Sequence, residues 1–233
     1  MNNYRSHRIG AARTLTPAAI CTAAALSALV GCSRSQGADA DAVPERARAE
    51  TLYTARLQPL NTSVTGSKAS GEVTFGITGD KLTITTDASG LPPGMAHWQH
   101  FHGFKDGRDA ACPTDAADAN GDGIIDLLET EPVAGTTMVP FNADPVAMDI
   151  PHDSYPTSTA TGTLSYKKEV SFDALQSTFG KSFDGQELNL DARVVFLHGV
   201  PSEAALAASV ASLGPIPAQV TIPIACGEIR RVK

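Results

Sequence analysis

Three of the chain's six histidines fall in one short run, Met95-Ala96-His97-Trp98-Gln99-His100-Phe101-His102-Gly103-Phe104. Two of them stand as His100-x-His102. In an extended strand, residues i and i+2 share a face and lie roughly 6–7 Å apart. Two imidazoles at that separation can reach one metal ion, and imidazole suits copper and zinc. The same pair also serves as ordinary core histidines, so the pattern needs partners elsewhere in the chain. Trp98 and Phe101, interleaved with the histidines, suit a core better than a cofactor contact.

A second segment carries oxygen rather than nitrogen donors. Asp118-Ala-Asn120-Gly-Asp122-Gly123-Ile124-Ile125-Asp126-Leu-Leu-Glu129 fills every position of a twelve-residue calcium loop. Asp118, Asn120, Asp122 and Asp126 supply side-chain oxygens, and the Ile124 carbonyl adds one more. Gly123 permits the sharp turn, and Glu129 closes the site with both carboxylate oxygens. Ile125 is expected to point inward. Pro113 before the loop and Pro132 after it leave room for at most one turn of helix on the far side, so a lone loop is expected rather than a helix–loop–helix unit. Weak sites of this kind are structural.

Several segments must position these groups. Glu72–Ile77 and Leu82–Thr85 alternate with period two around Gly79-Asp80, which predicts a hairpin. Thr163–Tyr166 and Glu169–Phe172 read as extended. Arg193–His198 is a β-branched, apolar run, and Gln219–Ile222 opens a last strand. Short strands separated by Gly, Pro, Asn and Asp predict an all-β antiparallel sandwich or barrel. Alanine-rich Glu203–Leu213 looks helical and is expected to cross between two strands as a short helix or loop. Residues 105–157 interrupt the strands with a long insertion, which the calcium loop would organise.

The first 31 residues read as an export signal. Arg5, Arg8 and Arg13 make a basic start, Ala18–Val30 is small and apolar, and the stretch is too short to span a membrane. Leu29-Val30-Gly31-Cys32 resembles a bacterial lipobox, which implies that Cys32 carries lipid at the mature N-terminus. Ser33 after it resembles outer-membrane sorting. Residues 32–50 then form a flexible tether to a domain spanning 51–233. Of four cysteines, Cys21 leaves with the signal and Cys32 is lipidated. Cys112 and Cys226 remain, a disulfide in an oxidising compartment and two thiols in a reducing one. The chain's formal charge of −7 becomes more negative once the three arginines leave. Such a chain binds nucleic acid poorly. No Gly-rich phosphate loop or nucleophilic triad stands out.

Ala88-Ser-Gly-Leu-Pro-Pro-Gly94 followed by His97-Trp-Gln-His100-Phe-His102 resembles a segment of copper/zinc superoxide dismutases, Gly-Leu-x-x-Gly and then His-Gly-Phe-His-x-His. Arg193-Val-Val-Phe-Leu-His198 resembles the strand that carries that family's last copper histidine. Ile224-Ala-Cys226-Gly-Glu-Ile229 resembles its closing Ala-Cys-Gly-x-Ile. The chain is also similar to the related chordin-type β domains, CHRD domains, which share the fold without an established catalytic role. The resemblance implies a Greek-key barrel, a Cys112–Cys226 bridge, and copper held by His100, His102 and His198. It makes His97 a supporting or core histidine, and it leaves His152 as a fourth ligand, as the position that bridges two metals in that family, or as a polar loop residue. Superoxide is the substrate it implies.

Two departures accompany it. The loop has no histidines for the family's zinc site, so zinc is not expected. Pro223 stands where the family places an arginine that attracts the anion, and no basic residue lies between His198 and Cys226. Three readings follow: a copper-binding superoxide dismutase-like lipoprotein of the cell envelope, a non-catalytic CHRD-like domain at the cell surface, or a calcium-stiffened scaffold module.

Overall fold

Eight antiparallel strands hydrogen-bond into one strongly curled sheet, a half-barrel, in the order β5-β4-β7-β8-β1-β2-β3-β6. The computed structural model describes residues 50–233, all within the compact unit Glu45–Lys233. The export signal, Cys32 and the tether up to residue 49 lie outside the described residues. No helix among the described residues is long and apolar enough to cross a membrane.

Along the chain come β1 (Thr51–Pro59), the one-turn α1 (Thr62–Thr65), β2 (Ser70–Thr78) and β3 (Lys81–Ser89), then β4 (Gln99–Gly103). α2 (Leu127–Ala134), β5 (Thr136–Pro140), β6 (Leu164–Ser171) and α3 (Phe172–Ser182) follow. β7 (Val194–His198), α4 (Ala218–Thr221) and β8 (Pro223–Arg231) close the domain. The Gly79-Asp80 hairpin forms as expected, with Thr78 opposite Lys81.

Period-two alternation sorts side chains between the two faces of the sheet. Leu57, Phe75, Ile84, Phe101, Val195 and Leu197 enter the main core, where burial of each such side chain contributes about 1.5–3 kcal/mol. On the other face Val194, Phe196 and Cys226 form a smaller cluster, roofed by Ala110 and Ala134 of the insertion. The alternate positions on that face of β4 and β7 are His100, His102 and His198. The insertion therefore covers the histidine face with Ala110 and Ala134, and it also sends Ile124, Met138, Val139 and Phe141 into the main core.

Cys112 and Cys226 form a disulfide that pins the insertion to β8. Arg193 is almost wholly buried just before β7. Its guanidinium donates to the carbonyls of Leu188 and Glu187, to the Gln186 side-chain oxygen and, more weakly, to the Phe104 carbonyl. Burial lowers its pKa. This cage holds the chain leaving β4 against the chain entering β7.

Several expectations are corrected. Glu203–Leu213 is irregular, because its alanines offer no apolar stripe to bury and an isolated short helix is marginal in water. Gln219–Ile222 opens no strand: Ala218–Thr221 is one helical turn framed by Pro217 and Pro223, and β8 begins at Pro223. Phe172 starts α3 instead of ending a strand. Ser171 caps that helix through Ala174 N–H, and Leu175 and Phe179 share its buried face. The insertion contains β5, paired with β4. α2 is two turns long, carried through Pro132 by an N-terminal capping box of Asp126 and Glu129.

Asn61 fastens the insertion to the barrel. Its side-chain amide donates to the Ile125 and Pro223 carbonyls, both at 2.9 Å, and its oxygen accepts from Ile125 N–H at 2.8 Å. It does so from a left-handed backbone (φ 54°), which asparagine tolerates. Asn61→Ala is expected to cost about 2–4 kcal/mol in denaturant unfolding, since it removes three bonds and adds strain. Asn61→Gly should recover the strain component only. Equal stability of wild type and Asn61→Ala would contradict the anchoring role.

Candidate metal centre

His100 and His102 meet on one face of β4, with ring centroids 4.8 Å apart. Pairing of β4 with β7 sets His102 opposite Val194 and His100 opposite Phe196, and a register shift at the end of β7 swings His198 alongside. The His100 and His198 rings stand 4.6 Å apart. One ligand nitrogen from each of the three histidines lies within 4.8 Å of the others, all three residues being buried.

Neighbouring carbonyls select which nitrogen faces the centre. His198 Nδ1–H donates to the Thr221 carbonyl at 2.7 Å, leaving Nε2 as a buried lone pair with no partner. His102 Nδ1–H donates to the Gly135 carbonyl at 3.1 Å, so its Nε2 carries the lone pair, with only the Thr137 hydroxyl nearby at 3.1 Å. His100 Nδ1 is buried and unpartnered. A metal-ligating histidine normally donates its second nitrogen in this way, which fixes tautomer and ring orientation. Buried orphaned acceptors are costly, and a cation shared among them relieves the cost. The donor set, three neutral imidazoles, fits copper or zinc.

The electrostatics agree. Burial, followed by repulsion from the neighbouring imidazoles, holds His100 well below the usual imidazole range. The same causes, burial first and then His198, lower His102 to about 3. Burial brings His198 to about 4. All three are therefore neutral at pH 7 and ready to ligate. Because the folded values lie below the unfolded one, their contribution to stability is complete above about pH 6.5. It is lost as pH falls towards 4 and 3. The metal-free protein should show a flat thermal midpoint above pH 7 and a falling one below about 6.5. A midpoint that rises on acidification from 7 to 4 would contradict this.

His97 is buried between β4 and the chain after β7, away from the three ligating nitrogens. Its Nδ1 lies 2.9 Å from the His198 carbonyl and its Nε2 lies 3.0 Å from the Pro92 carbonyl. The contact of Nδ1 ties it to the segment that carries His198. His152 is not brought to the centre. It sits exposed on a loop, where Nδ1 accepts from Ser154 N–H and stands beside Asp153. The group has three histidines, and of the roles open to His152 the structure shows that of a polar loop residue.

Gly135 matters doubly. Its carbonyl orients His102, and its φ of 73° is combined with a close approach to β4: a Cβ there would lie 2.1 Å from the Gly103 carbonyl oxygen. Neither Gly135 nor Thr137 was singled out by sequence reasoning. The signal available was the turn residue between α2 and a β-branched pair.

Above the three histidines lies an open chamber of about 260 Å³. Trp98 forms one wall, stacked on Tyr155 at 5.3 Å. The expectation that Trp98 is a core residue is corrected, while Phe101 does lie in the core. Leu127, Thr130 and Glu131 of α2, Thr136 and Thr137 of β5, Ile150 and Leu213 add to the lining.

The calcium candidates lie immediately before and within α2. Asp118 accepts from the Gly121, Asp122 and Gly123 amides, and Asn120 from Asp122. Glu129 accepts from Ala119, Asn120 and Asp126, and buried Asp126 from Leu128, Glu129 and Ala211. The Ser209 hydroxyl donates to Asp122, and that bond, with the Ile124 amide, lowers its pKa. Ile124 and Ile125 are both buried. The segment thus joins the Leu213 loop to α2, the two elements that wall the chamber.

No protein-family profile matches the chain, and no curated protein matches it in sequence. The chemistry is accordingly carried by the geometry alone.

Proposed function

We propose that the domain binds one copper ion through His100 Nδ1, His102 Nε2 and His198 Nε2. The observation that carries this is the convergence of three neutral, buried imidazoles, two of them with a ring nitrogen that has no other partner. Copper supplies one-electron chemistry when bound. The chain's own residues orient the ligands through the Thr221 and Gly135 carbonyls and shield them beneath the insertion.

The finer reading is a superoxide dismutase-like Greek-key barrel on an envelope lipoprotein. The histidine motif, the delivery of His198 by a strand adjacent to β4, and the Cys112–Cys226 bridge support it. On this reading Cys32 is lipidated, residues 32–50 tether the domain, and the outer membrane is the location. Two superoxide anions and two protons would yield dioxygen and hydrogen peroxide. A second, non-catalytic reading of the CHRD type is favoured by a specific feature: among the described residues that line the chamber none is cationic, and the one charged residue is the exposed Glu131.

Metal analysis of the purified protein, with a dismutase assay beside a His100→Ala/His102→Ala variant, separates these. Copper-dependent activity lost in the variant supports the enzyme, and stoichiometric copper without activity supports the binding domain. Absence of bound copper after loading refutes both.

The Asp118–Glu129 segment, on the same reading, holds calcium as the organiser of the insertion. Binding to the native state at a free concentration of 100 Kd stabilises by about 2.7 kcal/mol. Millimolar calcium should raise the thermal midpoint accordingly, and chelator should reverse it. An unchanged midpoint removes calcium from the account.

A further inference from the structure

The chamber over the histidines has a character that copper binding alone does not require. Its volume of about 260 Å³ exceeds the roughly 150 Å³ of an apolar cavity that admits benzene. Its walls are the indole of Trp98 and the side chains of Leu127, Ile150 and Leu213, with threonine hydroxyls nearer the imidazoles. A site for a small inorganic ion needs neither that space nor that apolar surface.

The rim is equally specific. Three large hydrophobic side chains are strongly exposed among the described residues, Leu128, Leu213 and Val232. Two of these belong to the elements around this mouth: Leu213 lines the chamber, and Leu128 lines the adjoining hollow that shares Glu131 and Gly135 with it. Among the described residues that line the chamber, Glu131, an exposed carboxylate, is the one that carries charge. Lys105 and Arg108 face the adjoining hollow, and Arg108 is paired with Asp106 at 2.8 Å and lies over the Phe104 ring.

We propose that this chamber is a binding site for a small organic molecule with a one-ring apolar body and a neutral or cationic polar head. Its body lies against Trp98, Leu127 and Leu213. Its head is met by the threonine hydroxyls or by Glu131. Aromatic walls with a few convergent polar groups are the usual make-up of such sites. A carboxylate rim repels anionic ligands of the same shape, and this preference weakens as salt rises.

Trp98 is the chain's single tryptophan, so its fluorescence reports the chamber directly. Benzylamine, benzyl alcohol and benzoate, which share a ring and differ in head-group charge, are titrated at low salt into the purified full chain. Titrations are run before and after metal removal. Saturable change with benzylamine, at least about fivefold tighter than with benzoate, is expected in both forms. Glu131→Gln should bring the amine to the level of the alcohol, and Leu213→Asn should weaken amine and alcohol together. No saturable change with any probe, or benzoate binding as tightly as benzylamine, overturns the proposal. Copper content is measured on the same samples, so failure of the copper reading would show as missing metal while probe binding to the metal-free chain persists.

Discussion

Replacing His198 with alanine is expected to lower copper affinity by well over 100-fold, while His152→Ala leaves it unchanged. Loss of an outer hydrogen-bond partner of a metal ligand costs 10–100-fold, and removal of a ligand itself exceeds that. His198 carries the buried Nε2 that completes the group, and among the described residues no fourth histidine, cysteine or carboxylate is grouped with the three to replace it. His152 lies outside the group, and its Nδ1 is engaged by Ser154 N–H and Asp153 of its own loop. A competition titration against a copper chelator of known affinity reads both variants. Equal affinity of His198→Ala and wild type would contradict the three-histidine centre.

Removing the disulfide with Cys112→Ser/Cys226→Ser is expected to destabilise the domain by about 2–5 kcal/mol. The bridge closes a loop spanning 114 positions, which places its restriction of the unfolded chain among the larger ones. For a domain of this size the loss corresponds to a fall of roughly 5–20 °C in thermal midpoint. The native state suffers too, because the bridge holds the insertion whose later part, α2 and Gly135, roofs and orients His102. Copper affinity should therefore fall together with stability. A double variant that melts within about 2 °C of wild type would show that Asn61, the β4–β5 pairing and the Ala110–Ala192 backbone bond secure the insertion without the bridge.

How much of this was legible in the sequence follows from the range of each signal. His100-x-His102 is a local period-two pattern, and alternation alone sets both on one face. That His198 joins them depends on strand order, which no local pattern encodes; the motif resemblance supplied it. The half-barrel itself followed from short alternating strands. α3 was missed because Phe172 was read as the end of an extended stretch and the residues after it were left unread, although the spacing of three and four between Phe172, Leu175 and Phe179 suits a helix. Glu203–Leu213 misled in the opposite sense, since alanine content measures propensity and says nothing about a face to bury. The chamber was invisible for a different reason. Its walls come from the insertion, from β5 and from the Leu213 loop, segments far apart in the chain and brought together by Asn61, Asp126 and the disulfide. Trp98 shares the parity of His100 and His102, so alternation would have placed it on their face had that rule been carried two residues back.

The most direct test of the central claim is electron paramagnetic resonance of the protein loaded with one equivalent of copper(II), using pulsed methods that resolve coupling to imidazole nitrogens. Three coupled imidazoles in wild type, reduced to two in His198→Ala, is the predicted result. A signal from an oxygen-ligated ion without histidine coupling, or an identical nitrogen count in the variant, would contradict a copper centre built by His100, His102 and His198.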